Sequence, residues 1–518
     1  MSWEPEIDEL KEREKEAYKM GGEKNVTKHW SKGKLNVRER IHRLLDQGSF
    51  HEFGAIAGKT TYDENGERRS FTPANFLLGT GRIDGRKVVV GADDFTVRGG
   101  AADGSIKGKQ NYSEKMANEL QLPIIRLVDG TGGGGSVKVL DREGYTYIPV
   151  NPAWDYVVEN LGLVPVVGAC MGSVAGLGAA RVTASHFSVM VEETSQLFVA
   201  GPQIVNFGVG QNLTKEELGG AQVHRSSGAI DNIVNSEDEA FEHIRRFLSY
   251  LPSSVYELPT AEKSEDDPNR REEELISVIP RNRRRPYKIR PILEMIFDID
   301  SIFEMGKYYG GGTVTCFARL DGHPVGFLAN DPYIGGGGLT VESCEKIERF
   351  VDLCETFHLP IVNLVDQPGI AVGLEAEKRG TIRKGVRTIA AIYQTKVPMI
   401  EIIIRRVFGV GGAGISNRHG LNLRYAWPSG DWGSLPVEGG IQVAYRRELE
   451  ANDNPKALLE ELASKMESIR SPLRTAEAFG IEEIIDPRDT RPLLCEWVHD
   501  AYKLLPQHLG PRAHTMRP

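Results

Sequence analysis

The chain is 518 residues long, more than one ordinary domain of about 100–200 residues, with 40% apolar and 26% charged side chains. Its 63 Lys and Arg against 72 Asp and Glu give a net charge of −9, the wrong balance for a generic binder of nucleic acid or anionic membrane. This composition also excludes collagenous, disulfide-stapled and disordered chains.

From the N-terminus, residues 1–14 are acidic and polar and carry no secretory signal, so a cytoplasmic location is expected. Residues 6–45 show helical periodicity broken at Gly21-Gly22, and Val37, Ile41, Leu44 and Leu45 form the apolar stripe of a packed helix. Beyond them, short β-branched runs alternate with helical patterns to about residue 251, and again from 287 to about 485. That alternation predicts an α/β fold built on βαβ units around a largely parallel core. Residues 253–286, rich in Ser, Pro and charge, read as a linker between domains at 1–252 and 287–518. The apolar stretch 161–180 is long enough to span a bilayer, but its glycines and Pro165 predict a strand, a turn and a buried helix instead. The cysteines 170, 316, 344, 354 and 495 are scattered, without a CxxC pair, which indicates free thiols and no zinc site.

The chain repeats itself. RIDG at 82–85 recurs as RLDG at 319–322, and LPIIRLVD at 122–129 as LPIVNLVD at 359–366, both 237 positions on. Ala92 and Asp94 match Ala329 and Asp331 in the same register, while Val164-Pro165 answers Val397-Pro398 four residues out of step. The stretches before these repeats, LDQGSF at 45–50 and FDIDSI at 297–302, are also alike. Two fused copies of one α/β domain are therefore expected.

Each copy runs from a strand into a glycine-rich turn: GSVAGLGAA at 172–180 and FGVGGAG at 408–414. A strand that turns through glycine into a helix exposes unpaired N–H groups with the helix dipole behind them, which suits an oxygen that becomes negative. The alternative is that glycine only lets helix and strand pack closely. Neither turn is a phosphate fingerprint, since GxxxxGK[ST] and the ordered GxGxxG are absent. The glycine run after Asp129, residues 130–135, reads either as a ligand-approach loop or as a surface loop. Asp129 and Asp366 follow equivalent strands, as strand-end caps or as ligand groups. His224 reads as a satisfied core histidine or a substrate-positioning group. The basic residues Arg281, Arg283, Arg284 and Arg285 read as a solvated linker or an anion contact, and Trp427 and Trp432 as core or pocket wall.

On these residues the chain resembles the carboxyltransferase (β) subunits of biotin-dependent acyl-CoA carboxylases, of the propionyl-CoA carboxylase type. The resemblance runs through GKLNVRERI at 33–41, TKEELGGA at 214–221 with His224 and Ser227-Gly228, Pro286-Tyr287 with Arg290, VDQPG at 365–369 and YAWP at 425–428. It implies two tandem crotonase-like (ClpP/crotonase) domains from an internal duplication, the N-terminal one on the acyl-CoA side and the C-terminal one on the biotin side. It also implies a homo-hexamer, a trimer of dimers, without nucleic-acid or membrane partners. The implied reaction moves CO₂ from carboxybiotin to the α (or vinylogous) carbon of an acyl-CoA through enolates held in two backbone oxyanion holes. Carried over by position, the first hole falls on Gly176 and Leu177, with Gly133, Gly134, Ala175 and Gly178 as substrate contacts. The second falls within Gly409, Val410 and Gly411, with Ala413 beside it. Neither MKM nor an ATP signature occurs, so biotin would arrive on a biotin carboxyl carrier served by a biotin carboxylase subunit, with the coenzyme A thioester as substrate.

Departures from the family pattern are concentrated at the substrate. TGGGGS at 131–136 stands where many members have SGGAR, SGDWGSLP at 429–436 replaces an apolar pattern, and Asp231 replaces a histidine. Small or apolar residues near 413–415 replace an acidic residue implicated in acyl-length choice. Two other readings follow: an acyl-CoA decarboxylase or transcarboxylase of the same fold, and a non-catalytic scaffold subunit.

Overall fold

The computed structural model describes the whole chain except residues 1, 101–105, 131–136, 138–139, 142–143, 147, 149, 152, 417–422, 515 and 517–518. It forms two compact units, Met1–Glu257 with Gly510–Pro518, and Leu258–Leu509.

In the first unit a seven-stranded sheet runs in the order β1 (His51–Glu52), β2 (Phe76–Ile83), β3 (Arg86–Asp93), β4 (Ile124–Val128), β5 (Val166–Cys170), β7 (Phe187–Val191) and β9 (Asn232–Val234). The first two pairings are antiparallel and the rest parallel. Outside it, β6 (Ser173–Ala175) pairs in parallel with β8 (Gln196–Phe198). The second unit repeats this plan as β10 (Phe303–Met305), β11 (Thr313–Leu320), β12 (His323–Asn330), β13 (Ile361–Gln367), β14 (Met399–Phe408), β15 (Leu423–Ala426) and β17 (Glu483–Ile484). Here too the first two pairings are antiparallel, and β16 (Asp431–Gly433) pairs with the end of β14.

The duplication extends to single hydrogen bonds. β2, β3 and β4 begin 237 positions before β11, β12 and β13. Between each antiparallel pair the chain turns through Asp84-Gly85 and Asp321-Gly322, all with positive φ near 46–79°. That backbone is the tight hairpin turn for which Asp-Gly is the favoured pair. In both copies a carboxylate from the preceding segment receives the two turn N–H groups. Asp46 accepts from Asp84 and Gly85 at 3.0 and 2.9 Å. Asp298 accepts from Asp321 and Gly322 at 3.1 and 2.8 Å.

Helix α1 (Val37–Leu44) starts in a capping box, with Asn36 Oδ1 accepting from the Arg38 and Glu39 N–H groups while Glu39 accepts from the Asn36 N–H. It buries Val37, Ile41 and Leu44 as the periodicity anticipates, and Arg40 with them. Stretch 161–180 resolves into β5, β6 and the start of a helix. No helix among the described residues is long and apolar enough to cross a membrane. The segment anticipated as linker is packed from Leu258 onward: Leu275 joins the second unit's apolar core, and Arg270 donates to the carbonyls of Met295 and Phe297. The last residues, from Gly510, belong to the first unit, where the Gly510 N–H donates to the Val255 carbonyl at 2.8 Å.

Candidate functional site

Both glycine-rich turns are built in the same way. In the first unit β6 ends at Ala175, Gly176 takes φ 59° and ψ −125°, and α2 (Leu177–Thr183) begins at once. In the second, β14 ends at Phe408, Gly409 takes φ 60°, and α3 (Gly409–Ser416) follows. Each turn has a short parallel neighbour: Ala175 lies opposite Phe198, and Phe408 opposite Gly433. The structure thereby makes Gly409 the counterpart of Gly176, Val410 of Leu177 and Gly411 of Gly178. Left-handed φ makes both turns glycine positions. At Gly411 the constraint is space, since a Cβ there would stand 2.9 Å from the Ile370 nitrogen.

The donors differ from expectation in one respect. Gly176, anticipated as an oxyanion donor, already gives its N–H to the Val199 and Phe198 carbonyls at 3.1 and 3.3 Å. Among the described residues no acceptor lies on the N–H groups of Leu177 and Gly178, or on those of Val410 and Gly411. These are first-turn helix donors, which the helix itself leaves without a partner. Residues Ala175, Gly176, Leu177 and Gly178 are thus brought together in one turn, and Gly409, Val410, Gly411 and Ala413 in the other. Gly133 and Gly134 lie outside the described residues.

Buried charge holds each turn from behind. Arg126, fully buried on β4, pairs with Glu114 and donates to the carbonyls of Arg181 and Ala184 at 3.0 and 2.6 Å, fixing the C-terminal end of α2. Asp129 accepts from Arg40 at 2.8 Å, and Arg40 makes a bidentate pair with Glu237. Its counterpart Asp366 accepts from Arg405, Arg406 and the Tyr287 hydroxyl. Both carboxylates are therefore strand-end anchors. His224 is satisfied between the Leu197 carbonyl at 2.7 Å and Ser227 Oγ at 2.9 Å, and so holds β8 beside Gly176. Asp231 accepts from the Ser188 N–H and hydroxyl. Trp427 is core, its indole N–H on Thr490, whereas Trp432 lines a cavity of about 240 Å³ with Gly409, Ala413, Val407 and Ile481. Val199, Arg126 and Arg405 could not be placed by sequence motif. Their partners are backbone carbonyls or a carboxylate distant in the chain.

The carboxyl group of Asp93 is out of its usual range. Burial pushes Asp93, at the end of β3, up to about 6 from 3.8, against the opposing charge of Arg181 and the N–H of Asp129 at 3.2 Å. A raised carboxyl destabilises the fold once pH exceeds its unfolded value, by an amount that grows until the folded value is passed. Asp93→Asn is therefore expected to raise the melting temperature, by a gain that is small at pH 4, grows to about pH 6 and is level above. A gain independent of pH, measured by thermal unfolding from pH 4 to 8, would contradict this.

Comparison with known proteins gives a consistent result. A family model described as the carboxyl transferase domain matches residues 28–505. The chain is 35% identical over 494 residues to the propionyl-CoA carboxylase carboxyltransferase subunit of Haloferax mediterranei, covering 95% of each protein. It is 31% identical over 477 residues to the methylmalonyl-CoA decarboxylase subunit alpha of Veillonella parvula, covering 91% of each. Among solved structures it superposes on transcarboxylase 12S, a hexamer with methylmalonyl-CoA bound, with a TM-score of 0.86 at 27% identity over 100% of this chain and 99% of that one.

Proposed function

The chain belongs to the carboxyl transferase domain family, as an enzyme of the acyl-CoA carboxylase type with two tandem crotonase-type domains, and on that premise we propose that it moves a carboxyl group between biotin on a partner chain and the α carbon of a short acyl-CoA. One observation carries the reading: two turns of matching build, each with a glycine at φ near 60° and open N–H groups at the start of a helix. Carboxyl transfer of this kind passes through two anions, one on the thioester oxygen and one on the biotin ureido oxygen. Fixed donors in a water-poor site stabilise such oxygens as their charge develops, with no reorganisation needed at the moment of reaction.

In this reading the Leu177 and Gly178 N–H groups receive the thioester oxygen, and those of Val410 and Gly411 the ureido oxygen. Carboxybiotin, when bound, supplies the CO₂. Gly176 contributes its left-handed turn rather than its N–H, because Val199 holds that group. Arg126 and Asp366 keep the two turns in place from below. Assembly as a hexamer, service by a biotin carboxylase and carrier subunit, and a cytoplasmic location belong to the same proposal. The hexamer and the bound methylmalonyl-CoA of transcarboxylase 12S support it.

The likeness to a methylmalonyl-CoA decarboxylase subunit favours a second reading, in which the same two turns run the reaction toward loss of the carboxyl group. Mass spectrometry of methylmalonyl-CoA and malonyl-CoA incubated with the chain, with and without free biotin, tests both. Loss of the carboxylate only when biotin is present is expected. Loss without biotin would remove the second turn from the mechanism, and no loss in either tube, with no acyl-CoA binding, would leave a scaffold.

A further inference from the structure

Residues Arg283 and Arg284 reach a cleft of about 530 Å³ in the second unit, lined also by Arg405, Arg406 and Arg470. Pro286, Pro332, Pro368 and Pro436 contribute to its wall, so much of its shape is set by residues with a fixed φ. Two of the four carboxylates that meet these arginines are buried: Asp366, shared by Arg405 and Arg406, and Asp431, shared by Arg283 and Arg470. The others, Glu438 and Glu467, have 53% and 61% of their side chains exposed. Ion pairs that open to water count for little. Arg284, exposed, has no carboxylate partner among the described residues, and the Arg470 Nε is buried without an acceptor.

We propose that this cleft binds an anion, a phosphate or carboxylate group carried on a larger molecule, with Arg283, Arg284 and Arg470 as its donors. Four guanidinium groups share two buried carboxylates, Glu438 and Glu467 meet two of them in largely exposed pairs, and the fifth has no carboxylate partner among the described residues, so the cleft keeps an excess of positive charge. Guanidinium presents planar paired N–H groups that match the oxygens of phosphate and carboxylate. The volume lies in the range of ordinary ligand sites and exceeds what a lone inorganic ion fills. Phe408 lines the cleft and immediately precedes Gly409, so the bound anion would sit next to the second turn. The inference does not depend on carboxyl transfer and stands or falls separately from it.

Calorimetry on the full chain with pyrophosphate and with malonate as probes, at about 50 mM salt where screening is modest, tests it. Saturable binding of at least one probe is expected, weakened about tenfold or more by Arg284→Ala and by Arg283→Gln. Arg284 is exposed and has no carboxylate partner among the described residues, so its variant should keep the wild-type melting temperature. Coenzyme A and its 3′-dephospho form separate the sources of the group. If only coenzyme A responds to the Arg284 substitution, the anion is the 3′-phosphate, and if both respond, it is the pyrophosphate or another ligand of the same chemistry. Absence of saturable binding by both probes, or affinity unchanged in both variants, would overturn the proposal.

Discussion

Leu177→Pro is expected to lower turnover of an acyl-CoA substrate by about 10²–10³-fold, the loss that follows removal of one oxyanion donor, or about 3–4 kcal/mol of transition-state stabilisation. Leu177 is the first residue of α2, the position where proline is best tolerated because its missing N–H has no helical partner. The substitution therefore removes the donor with little damage to the helix. Gly176→Pro is the wrong experiment, because φ 59° cannot be reached by a ring locked near −65° and because Val199 already holds that N–H. Leu177→Ala supplies the control: it loses the side chain and keeps the donor. Turnover in Leu177→Pro equal to that in Leu177→Ala, with both variants folded, would remove Leu177 from the mechanism. Val410→Pro makes the matching change in the second turn. Its loss should fall on the biotin-dependent step while acyl-CoA affinity is kept.

The duplication was legible because its carriers are short-range. Asp-Gly at 84–85 and 321–322 dictates the hairpin by residue type, and the apolar strands that follow keep one spacing. The register of the second turn was not legible. The start of β14 follows the start of β13 by four residues fewer than β5 follows β4, so the 237-residue offset lapses just before the turns. The backbone, with φ near 60° at both Gly176 and Gly409, shows that the shifted register of Val164-Pro165 and Val397-Pro398 continues into the turns. The fate of the Gly176 N–H was hidden for a different reason. Its acceptor is a backbone carbonyl just past the end of β8, and any residue type at 199 would provide it. The basic stretch 281–285 looked like solvated linker because the carboxylates that fold Arg283 inward, Asp431 and Glu467, lie far along the chain.

Asp366→Ala is expected to cost about 3–5 kcal/mol, the penalty for leaving buried charge without its partner. Asp366 is wholly buried and accepts from the Tyr287 hydroxyl at 2.9 Å, from Arg405 Nε and Nη2 at 3.1 and 2.9 Å, and from the Arg406 N–H at 3.1 Å. The Arg406 side chain adds contacts to both oxygens. Removal strands two guanidinium groups and a phenol at once. In a unit of this size the loss corresponds to a fall in melting temperature on the order of 10 °C. The sign of its pH dependence also follows. Burial alone would raise this carboxyl, but the hydrogen bonds and charges of Arg406 and Arg405 outweigh it and hold the group below its ordinary 3.8. A depressed carboxyl stabilises the fold fully above its unfolded value and loses that contribution as pH falls through the folded one. The gap in stability between the parent chain and Asp366→Asn, which keeps the shape without the charge, should therefore be constant from about pH 6 to 8 and narrow below about pH 4. A gap that widens with acid would mean that burial, not the arginines, governs this carboxylate. Arg405 and Arg406 would then have to be held in the cleft wall by other means, such as the carbonyls of Arg285 and Gly336 and the face of the Tyr287 ring.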